Sequence, residues 1–401
     1  MAFHKQDCIA KIDFPHGKRY FCHHRQPFIK KCRKLFFIVI ADKKETLMIG
    51  ALSPAAFVWR KEAMSHALLL PPPLRPGDTI GFFSPSSPAT HFAPARFERA
   101  KVFLEQHGYR LHAGALTGKT DHYRSGSIAA RVDELNTLIR DPAVRCVMST
   151  IGGSNSNSLL PYLDYDALRR DPKIIIGYSD VTALLLGIYA RTGLVTFYGP
   201  ALVASFGEFP PLVNDTFAGF AALTGAAQSE HAYRMPSGWS DERLDWNQQS
   251  RAKITHPNQW RFDGSGVYQG RLIGGNLNTM AGIWGSPFMP AIEDGDILLL
   301  EDSLKDIATV ERAFAHLKLC GVFDRVAAVM LGKHEQFDDK GTGRDSLTVL
   351  REVLNGQPLP VLADFDCCHT HPMLTLPLGV RITVDFNAGR VVLNAPWLRQ
   401  S

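Results

Sequence analysis

From residue 79 onward, short apolar runs alternate with stretches whose apolar positions have a helical spacing. Each apolar run predicts a buried strand, and these runs are residues 79–84, 145–150 and 174–176. The amphipathic stretches 96–107 and 128–140 predict helices. Strands that alternate with helices favour a parallel sheet covered on both faces. We therefore predict an α/β fold whose N-terminal domain carries a parallel sheet of the Rossmann or flavodoxin-like type.

The last third of the chain has a different pattern, in which short strands outnumber helices. One helix is predicted at 307–319, together with strands at 297–300, 326–331, 380–384 and 391–393. This pattern predicts a smaller C-terminal α+β domain.

Residues 208–270 separate the two patterned regions. They are rich in Pro, Gly, Ser and Asp and include Trp239, Trp246 and Trp260, which is typical of a long connection. At 401 residues the chain is long enough for two domains of ordinary size. We therefore expect an N-terminal domain over 74–207, a tryptophan-bearing connection or substrate loop over 208–270, and a C-terminal domain over 271–401.

Residues 1–73 form a poorly patterned extension. Its first 63 residues hold 13 Lys and Arg against 5 Asp and Glu, without a helical or a strand period. We expect either an over-extended reading frame that ends before Met64, so that the segment is not native, or a basic arm that binds an acidic partner. The spacing around His23 and His24 fits no zinc pattern. The remaining residues hold 31 basic against 34 acidic side chains, so the net charge of +5 does not indicate nucleic-acid binding.

Neither a membrane span nor a disulfide framework is predicted. The most apolar run near the start, 35–41, is seven residues long, whereas a bilayer needs about 20. Charged residues follow it directly, which is not the pattern of a signal peptide. The seven cysteines form no C-x-x-C pair. We therefore expect a cytoplasmic protein without membrane association.

The segment 173–184 carries the strongest chemical signal. The apolar triplet 174–176 is followed by Gly177, and a helix is predicted from Asp180 onward. Ser179 then lies on a sharp strand-to-helix turn, where helix amides can stabilise developing negative charge. This is the arrangement of a nucleophile elbow, although the G-x-S-x-G spelling is absent. The alternative is that Ser179 is an N-cap.

Five motifs occur together in a defined order. They are the glycine–serine segment 150–164, Ile-Gly-Tyr-Ser-Asp at 176–180, Gly-Gly-Asn-Leu-Asn-Thr at 274–279, Leu-Glu-Asp-Ser at 300–303, and His-Thr at 369–370 with Leu-Pro-Leu-Gly at 376–379. This set resembles the LD-carboxypeptidase family of serine peptidases, in particular its microcin C self-immunity branch. The resemblance extends from about Leu74 to the C terminus.

The resemblance implies a catalytic triad of Ser179, Glu301 and His369. A serine nucleophile needs a base, and the base needs a group that orients it. Glu301 follows the apolar run 297–300, so its carboxylate is expected at a strand end. The alternative is a surface carboxylate in an acidic turn.

His369 is preferred over His371 because the family pattern is Gly-His-Thr. This chain departs from that pattern, since Cys368 replaces the glycine and adds bulk beside the base. The two histidines could also be metal ligands, but no other Cys or His cluster completes a site. We expect neither a metal nor a cofactor.

The family places the oxyanion donors at the glycine pair and at the residue after the nucleophile, here Gly153 and Asp180. A plain tight turn is the alternative role of the glycines. The Asp180 side chain is expected to cap its own helix.

The two branches of the family differ in substrate. One releases a terminal D-alanine from cell-wall tetrapeptides, and the other cleaves aminoacyl-nucleotide phosphoramidates. The long insertion and the Gly-Gly-Asn-Leu-Asn spelling resemble the second branch. Trp246 could stack on a base or pack its own loop. Lys305 could bind an anion, and Asn276 and Asn278 could orient the substrate amide.

We therefore predict a serine peptidase or amidase that acts on aminoacyl-nucleotide conjugates such as processed microcin C, which would provide self-immunity or detoxification. The alternatives are a murein LD-carboxypeptidase and a non-catalytic binding protein on the same scaffold. The expected partner is a small peptide or peptidyl-nucleotide substrate and not a nucleic acid. Family members are typically homodimers, so a homodimer is expected.

Overall fold

The structure, a computed structural model, describes residues 68–400 and four short strands ahead of them. The chain divides into two compact units, Met1–Met64 and Ser65–Ser401. In the first unit, Ile9–Asp13 (β1) pairs antiparallel with Arg19–His23 (β2), and Ala41–Asp42 (β3) with Glu45–Thr46 (β4). The sequence pattern did not predict these strands. The proposed start at Met64 and the His23–His24 spacing lie outside what the structure describes.

The second unit contains the strands and helices of both predicted domains. Its strands are Thr79–Phe83 (β5), Arg110–Ala113 (β6), Val144–Ser149 (β7), Ile174–Gly177 (β8), Thr196–Tyr198 (β9), His231–Ala232 (β10), Gly238–Trp239 (β11), His256–Pro257 (β12), Arg261–Asp263 (β13), Val267–Asn276 (β14), Ile297–Glu301 (β15), Ala328–Gly332 (β16), Val361–Phe365 (β17), Leu376–Leu378 (β18), Arg381–Asp385 (β19) and Arg390–Leu393 (β20). Its α-helices are Ala89–Phe92 (α1), Pro94–Gln106 (α2), Ile128–Arg140 (α3), Tyr165–Arg170 (α4), Thr182–Thr192 (α5), Leu212–Thr224 (α6), Leu277–Ala281 (α7), Ile307–Leu319 (α8) and Ser346–Leu354 (α9).

The first sheet has six strands in the spatial order β18–β9–β8–β7–β5–β6. Its strands β5 to β9 pair in parallel, and only β18, which comes from the C-terminal part of the chain, runs antiparallel. The central strand β8 is buried at every position, which explains its run of three isoleucines. The predicted α/β class and the helix at 128–140 are confirmed.

The second sheet has eight strands in the order β10–β20–β19–β14–β15–β16–β17–β13. Strands β14 to β17 pair in parallel, whereas β13 and the strands on the other flank pair antiparallel. This mixture agrees with the expected α+β region, and α8 has the predicted bounds. The pattern missed α9 and β17.

The region 208–270 contains more regular structure than a connection. Helix α6 spans 13 residues and buries Phe220 and Leu223. Strands β10 and β13 from the same region join the second sheet. Because Gly and Pro flank α6 on both sides, the composition of the whole region concealed it.

The carboxyl ends of the parallel strands place three motifs near each other. The glycine pair 152–153 follows β7, Ser179 follows β8, and Glu301 is the last residue of β15. Sites in α/β sheets form at such ends.

Candidate active site

Ser179 lies on a strained turn between β8 and α5. Its φ is +62°, a left-handed conformation that non-glycine residues rarely adopt. A 3₁₀ turn begins at Ser179 itself, and neither this turn nor α5 has a side-chain cap. The hydroxyl is therefore not used as an N-cap. Backbone strain of this kind is common where a side chain must be presented to a substrate.

Glu301 and His369 form a hydrogen-bonded pair. Nδ1 of His369 lies 2.8 Å from Oε2 of Glu301, whose side chain is fully buried. The other carboxylate oxygen, Oε1, accepts hydrogen bonds from the Tyr198 hydroxyl at 2.5 Å and from Nδ2 of Asn276 at 2.9 Å. The Tyr198 hydroxyl in turn accepts the Ser179 amide at 3.2 Å. One tyrosine thus connects the serine backbone to the buried carboxylate.

The two pKa shifts of this pair agree in direction. Burial alone would lower the pKa of His369, but the Glu301 carboxylate outweighs burial, so the pKa lies above its usual value. Burial alone would raise the pKa of Glu301, but the charge of His369 and its hydrogen bonds bring the pKa below its usual value. The Glu301 carboxylate therefore stays ionised and stabilises the imidazolium whenever His369 takes up a proton.

The glycine pair approaches the serine closely. A Cβ atom on Gly152 would lie 2.8 Å from the Ser179 Cβ and 3.0 Å from the Asp180 nitrogen, so only glycine fits there. The next residue, Gly153, has a φ of +147°, and its amide donates no hydrogen bond within residues 68–400. Asp180 is the second residue of a 3₁₀ turn, where the amide has no intrahelical acceptor. Within residues 68–400, neither of these two amides therefore donates a hydrogen bond.

The Asp180 side chain caps a different helix from the one expected. Its Oδ2 accepts the amides of Asn155 and Ser156 at 3.0 and 2.9 Å. These residues begin the 3₁₀ helix Ser156–Tyr162, whereas α5, which follows Asp180 in the chain, has no side-chain cap. The carboxylate thus attaches the segment after the glycine pair to the nucleophile turn.

A cavity of about 630 Å³ brings most of the predicted residues together. Its lining includes Ser179, His369, Gly153, Trp246, Asn276, Asn278 and Lys305, while Glu301 and Asp180 lie behind it. No hydrogen bond joins the Ser179 hydroxyl to His369 among the described residues. Catalytic hydrogen bonds are often long before substrate binds.

The predicted substrate residues differ in how free their side chains are. Asn276 is 4% exposed, and its amide is engaged with Glu301, Asp302 and Thr279. Asn278 is exposed at the cavity wall. The Lys305 ammonium lies 3.7 Å from Oδ1 of Asp302 and is partly exposed. Only Asn278 and Lys305 therefore have groups open to a ligand, and a substrate role for any of the three stays a prediction.

Trp246 packs against two neighbouring side chains and lines the cavity. The Arg96 guanidinium lies 4.7 Å from its ring centroid, and Phe92 stacks against it at 6.1 Å. Phe92 and Arg96 lie outside the region 208–270, so this tryptophan packs against another part of the chain as well as lining the cavity. Whether it stacks on a base stays a prediction.

Several residues at the site were not among the predicted functional residues. They are Tyr198 behind the catalytic pair and the cavity-lining residues Lys253, Asp302, Glu335 and His371. Burial raises the pKa of Asp302 and of Glu335, and it lowers the pKa of His371. A tyrosine at a strand end before a glycine was the one feature that could have suggested Tyr198.

Cys368 fits beside the base without the family glycine. It is buried, and its sulfur lies 3.4 Å from the Thr370 hydroxyl. Its Cβ faces Gly332, where an added Cβ would come within 3.3 Å. Because Gly332 has no side chain, it leaves room for the Cys368 side chain, which replaces the glycine of the family pattern.

A strained serine beside a buried Glu–His pair is the arrangement expected of a serine hydrolase. The comparisons agree: the LD-carboxypeptidase N-terminal domain matches residues 80–199, and the LD-carboxypeptidase C-terminal domain matches residues 269–384. This chain belongs to the LD-carboxypeptidase family and is a hydrolase of the serine carboxypeptidase class. The resemblance drawn from the motifs is confirmed.

The alignments with similar proteins cover nearly the whole length of those proteins. A Vibrio cholerae protein provisionally named a carboxypeptidase is 65% identical over 323 residues, which is 80% of this chain and 97% of that protein. The microcin C7 self-immunity protein MccF of Escherichia coli is 57% identical over 337 residues, 83% of this chain and 98% of MccF. Solved MccF complexes with aspartyl sulfamoyl adenosine and glutamyl sulfamoyl guanosine align with a TM-score of 0.81 at 56% identity, over 82% of this chain and 100% of theirs.

Within residues 68–400 and the short strands before them, no helix has the length and apolar character needed to span a bilayer.

Proposed function

We propose that this protein hydrolyses the amide bond of aminoacyl-nucleotide conjugates, with Ser179 as nucleophile, His369 as base and Glu301 as its orienting partner. The observation that carries the proposal is the buried Glu301–His369 pair. Because Nδ1 of the imidazole faces Glu301, Nε2 is left for the serine hydroxyl on the same cavity.

The first step forms a tetrahedral intermediate on Ser179. The Ser179 oxygen attacks the aminoacyl carbonyl carbon while its proton passes to Nε2 of His369. The Glu301 carboxylate stabilises the resulting imidazolium, in keeping with the raised pKa of His369. The amides of Gly153 and Asp180 donate to the negative oxygen of the tetrahedral intermediate.

The second step releases both products. His369 returns the proton to the leaving nitrogen as the carbon–nitrogen bond breaks. Water, deprotonated by the same imidazole, then attacks the acyl-serine ester and frees the amino acid. Asn276 and Tyr198 act as positioning residues, since both donate to the buried carboxylate.

A nucleotide leaving group is supported by the far wall of the cavity and by the relatives. Trp246 contributes an aromatic side chain to the lining there. Two MccF structures hold an acidic aminoacyl group joined to a nucleoside. Asn278 and Lys305 would bind the acidic aminoacyl side chain, since an ammonium and an amide match a carboxylate.

The test is to incubate the purified protein with aspartyl sulfamoyl adenosine and, separately, with a murein tetrapeptide. Release of aspartate from the first substrate, absent in Ser179→Ala, supports the proposal. Release of D-alanine alone would replace it with murein LD-carboxypeptidase activity. If neither substrate is cleaved while either binds, the protein is a non-catalytic binder.

We further infer a homodimer and a cytoplasmic location, on the basis of family membership. Light scattering on the purified protein tests the first, since a mass near twice 44.4 kDa is expected. Fractionation of the producing cells tests the second.

A further inference from the structure

A buried lysine faces the active-site cavity without a hydrogen bond of its own. Lys253 is 8% exposed and lines the cavity. Within residues 68–400 its ammonium makes no hydrogen bond, and its nearest carboxylate oxygen is Oε2 of Glu208, at 3.7 Å. Lysine is rarely buried unless it is paired, so this ammonium requires an explanation.

Glu208 does not supply that explanation, because other donors already satisfy it. Its Oε2 accepts Nη2 of Arg96 at 3.0 Å. Its Oε1 accepts the side-chain amide of Gln249 and the Phe209 amide, the latter at 2.9 Å. Two buried cations, Arg96 and Lys253, thus share one carboxylate that is complete without the lysine.

The other neighbours of Lys253 do not remove this excess of positive charge. The charges of Lys253 and His369 partly counteract the burial that raises the pKa of Glu335. This carboxylate nevertheless forms no ion pair with the lysine within residues 68–400. Nδ1 of His371 is buried without a hydrogen-bond partner in the same part of the chain. In this corner of the cavity, two buried cations therefore share one carboxylate, and a buried charge that is only partly compensated costs free energy.

We propose that Lys253 binds the negative charge of the leaving group. It belongs to the segment 243–253, which also supplies Trp246. In an aminoacyl-nucleotide the phosphoryl group lies between the base and the scissile amide, so a cation beside the base platform meets it. A peptide substrate also presents a negative charge on its leaving group, because its leaving amino acid ends in a carboxylate. This assignment rests on the proposed function, which sets the side of the cavity that the leaving group occupies.

The test compares two nucleoside substrates that differ in one charge. The first is aspartyl adenosine phosphoramidate, and the second is aspartate joined by an amide to 5′-amino-5′-deoxyadenosine, which has no anion in its linker. For Lys253→Met we expect kcat/KM to fall roughly ten- to a hundred-fold on the first substrate, the range of one charge-assisted hydrogen bond. On the second, kcat/KM should stay within about threefold of wild type.

Two variants serve as matched controls. Lys253→Arg keeps the charge and should recover most of the activity on the phosphoramidate. Lys305→Met removes the other cavity ammonium and should weaken both substrates alike, because the aspartyl group is common to them. The melting temperature of Lys253→Met should equal or exceed that of wild type, since Glu208 keeps Arg96 and Gln249.

Equal losses on the charged and neutral linkers, or a marked fall in melting temperature with loss of both activities, would overturn the assignment. If wild type cleaves only a peptide, the proposed function fails but Lys253 is still testable. The comparison is then between a tetrapeptide with a free terminal carboxylate and its carboxamide. A selective loss on the carboxylate supports the lysine, and an equal loss refutes it.

Discussion

The two ends of the cavity differ in how their polar groups are satisfied. At the catalytic end, each oxygen of Glu301 has a partner, and the imidazole of His369 is held by one of them. At the other end, built by the segment 243–253, the ammonium of Lys253 has no hydrogen bond among the described residues. The Glu301 carboxylate is thus fully hydrogen-bonded without a substrate, whereas the Lys253 ammonium has only a shared ion pair with Glu208.

This difference corresponds to two tasks, acid–base chemistry and substrate recognition. Acid–base chemistry gains from groups that need not reorganise during the reaction, so a fully bonded carboxylate and imidazole are an advantage. Recognition gains from groups whose best partner is the ligand, because the ligand then satisfies them. Variants at the catalytic end should therefore affect all substrates, and variants at the other end should discriminate between them.

The largest effect is expected at the nucleophile. Ser179→Ala removes the attacking oxygen but keeps the cavity and both amides, so kcat should fall on the order of 10⁴- to 10⁶-fold. Binding of aspartyl sulfamoyl adenosine, measured by calorimetry, should change little. Near wild-type turnover in this variant would show that another residue is the nucleophile.

Next in size is the loss of the orienting charge. Glu301→Gln should lower kcat by about 10⁴-fold, because the imidazolium loses its buried counter-ion. The Glu301 carboxylate raises the pKa of His369, so the acid limb of the kcat/KM profile should move to lower pH in the variant. A limb that stays in place would mean that another group titrates there.

A smaller and selective effect is expected at the tryptophan. Trp246→Ala should weaken hydrolysis of nucleotide conjugates by about 1–3 kcal/mol, or roughly ten- to a hundred-fold in kcat/KM, and spare a peptide that lacks a base. Trp260→Ala is the matched control, since Trp260 donates to Asp366 and does not line the cavity. Equal losses on both substrates with Trp246→Ala would exclude base stacking.

The smallest effect is expected from removing residues 1–63. The described residues that line the cavity all belong to the second compact unit, so deletion should leave kcat/KM and melting temperature unchanged within error. Circular dichroism melting and the aspartyl sulfamoyl adenosine assay measure both. A melting temperature lower by several degrees would show that the extension packs on the folded unit.

The placement of Ser179 and Glu301 at one end of the cavity was largely predictable, because both residues lie in short motifs next to strands, and their catalytic roles stay predictions. The isoleucine run 174–176 predicts a buried strand, so the turn that carries Ser179 follows from local pattern alone. Glu301 ends another such run. The choice of His369 depended on the family resemblance, since the residues alone also allowed His371.

The other end was decided by tertiary structure. Nothing near Lys253 in the sequence indicates that Arg96 and Glu208, each more than 40 residues away in the chain, meet beside it. Tyr198 reaches Glu301 only because β18 closes the first sheet against β9 while the second sheet brings β15 to the same cavity. Local periodicity reports which face of an element is buried, whereas long-range pairing decides which side chains share a hydrogen bond. The sequence therefore determined the fold class and the nucleophile turn, and only the tertiary structure decided which polar groups are satisfied and which remain for a ligand.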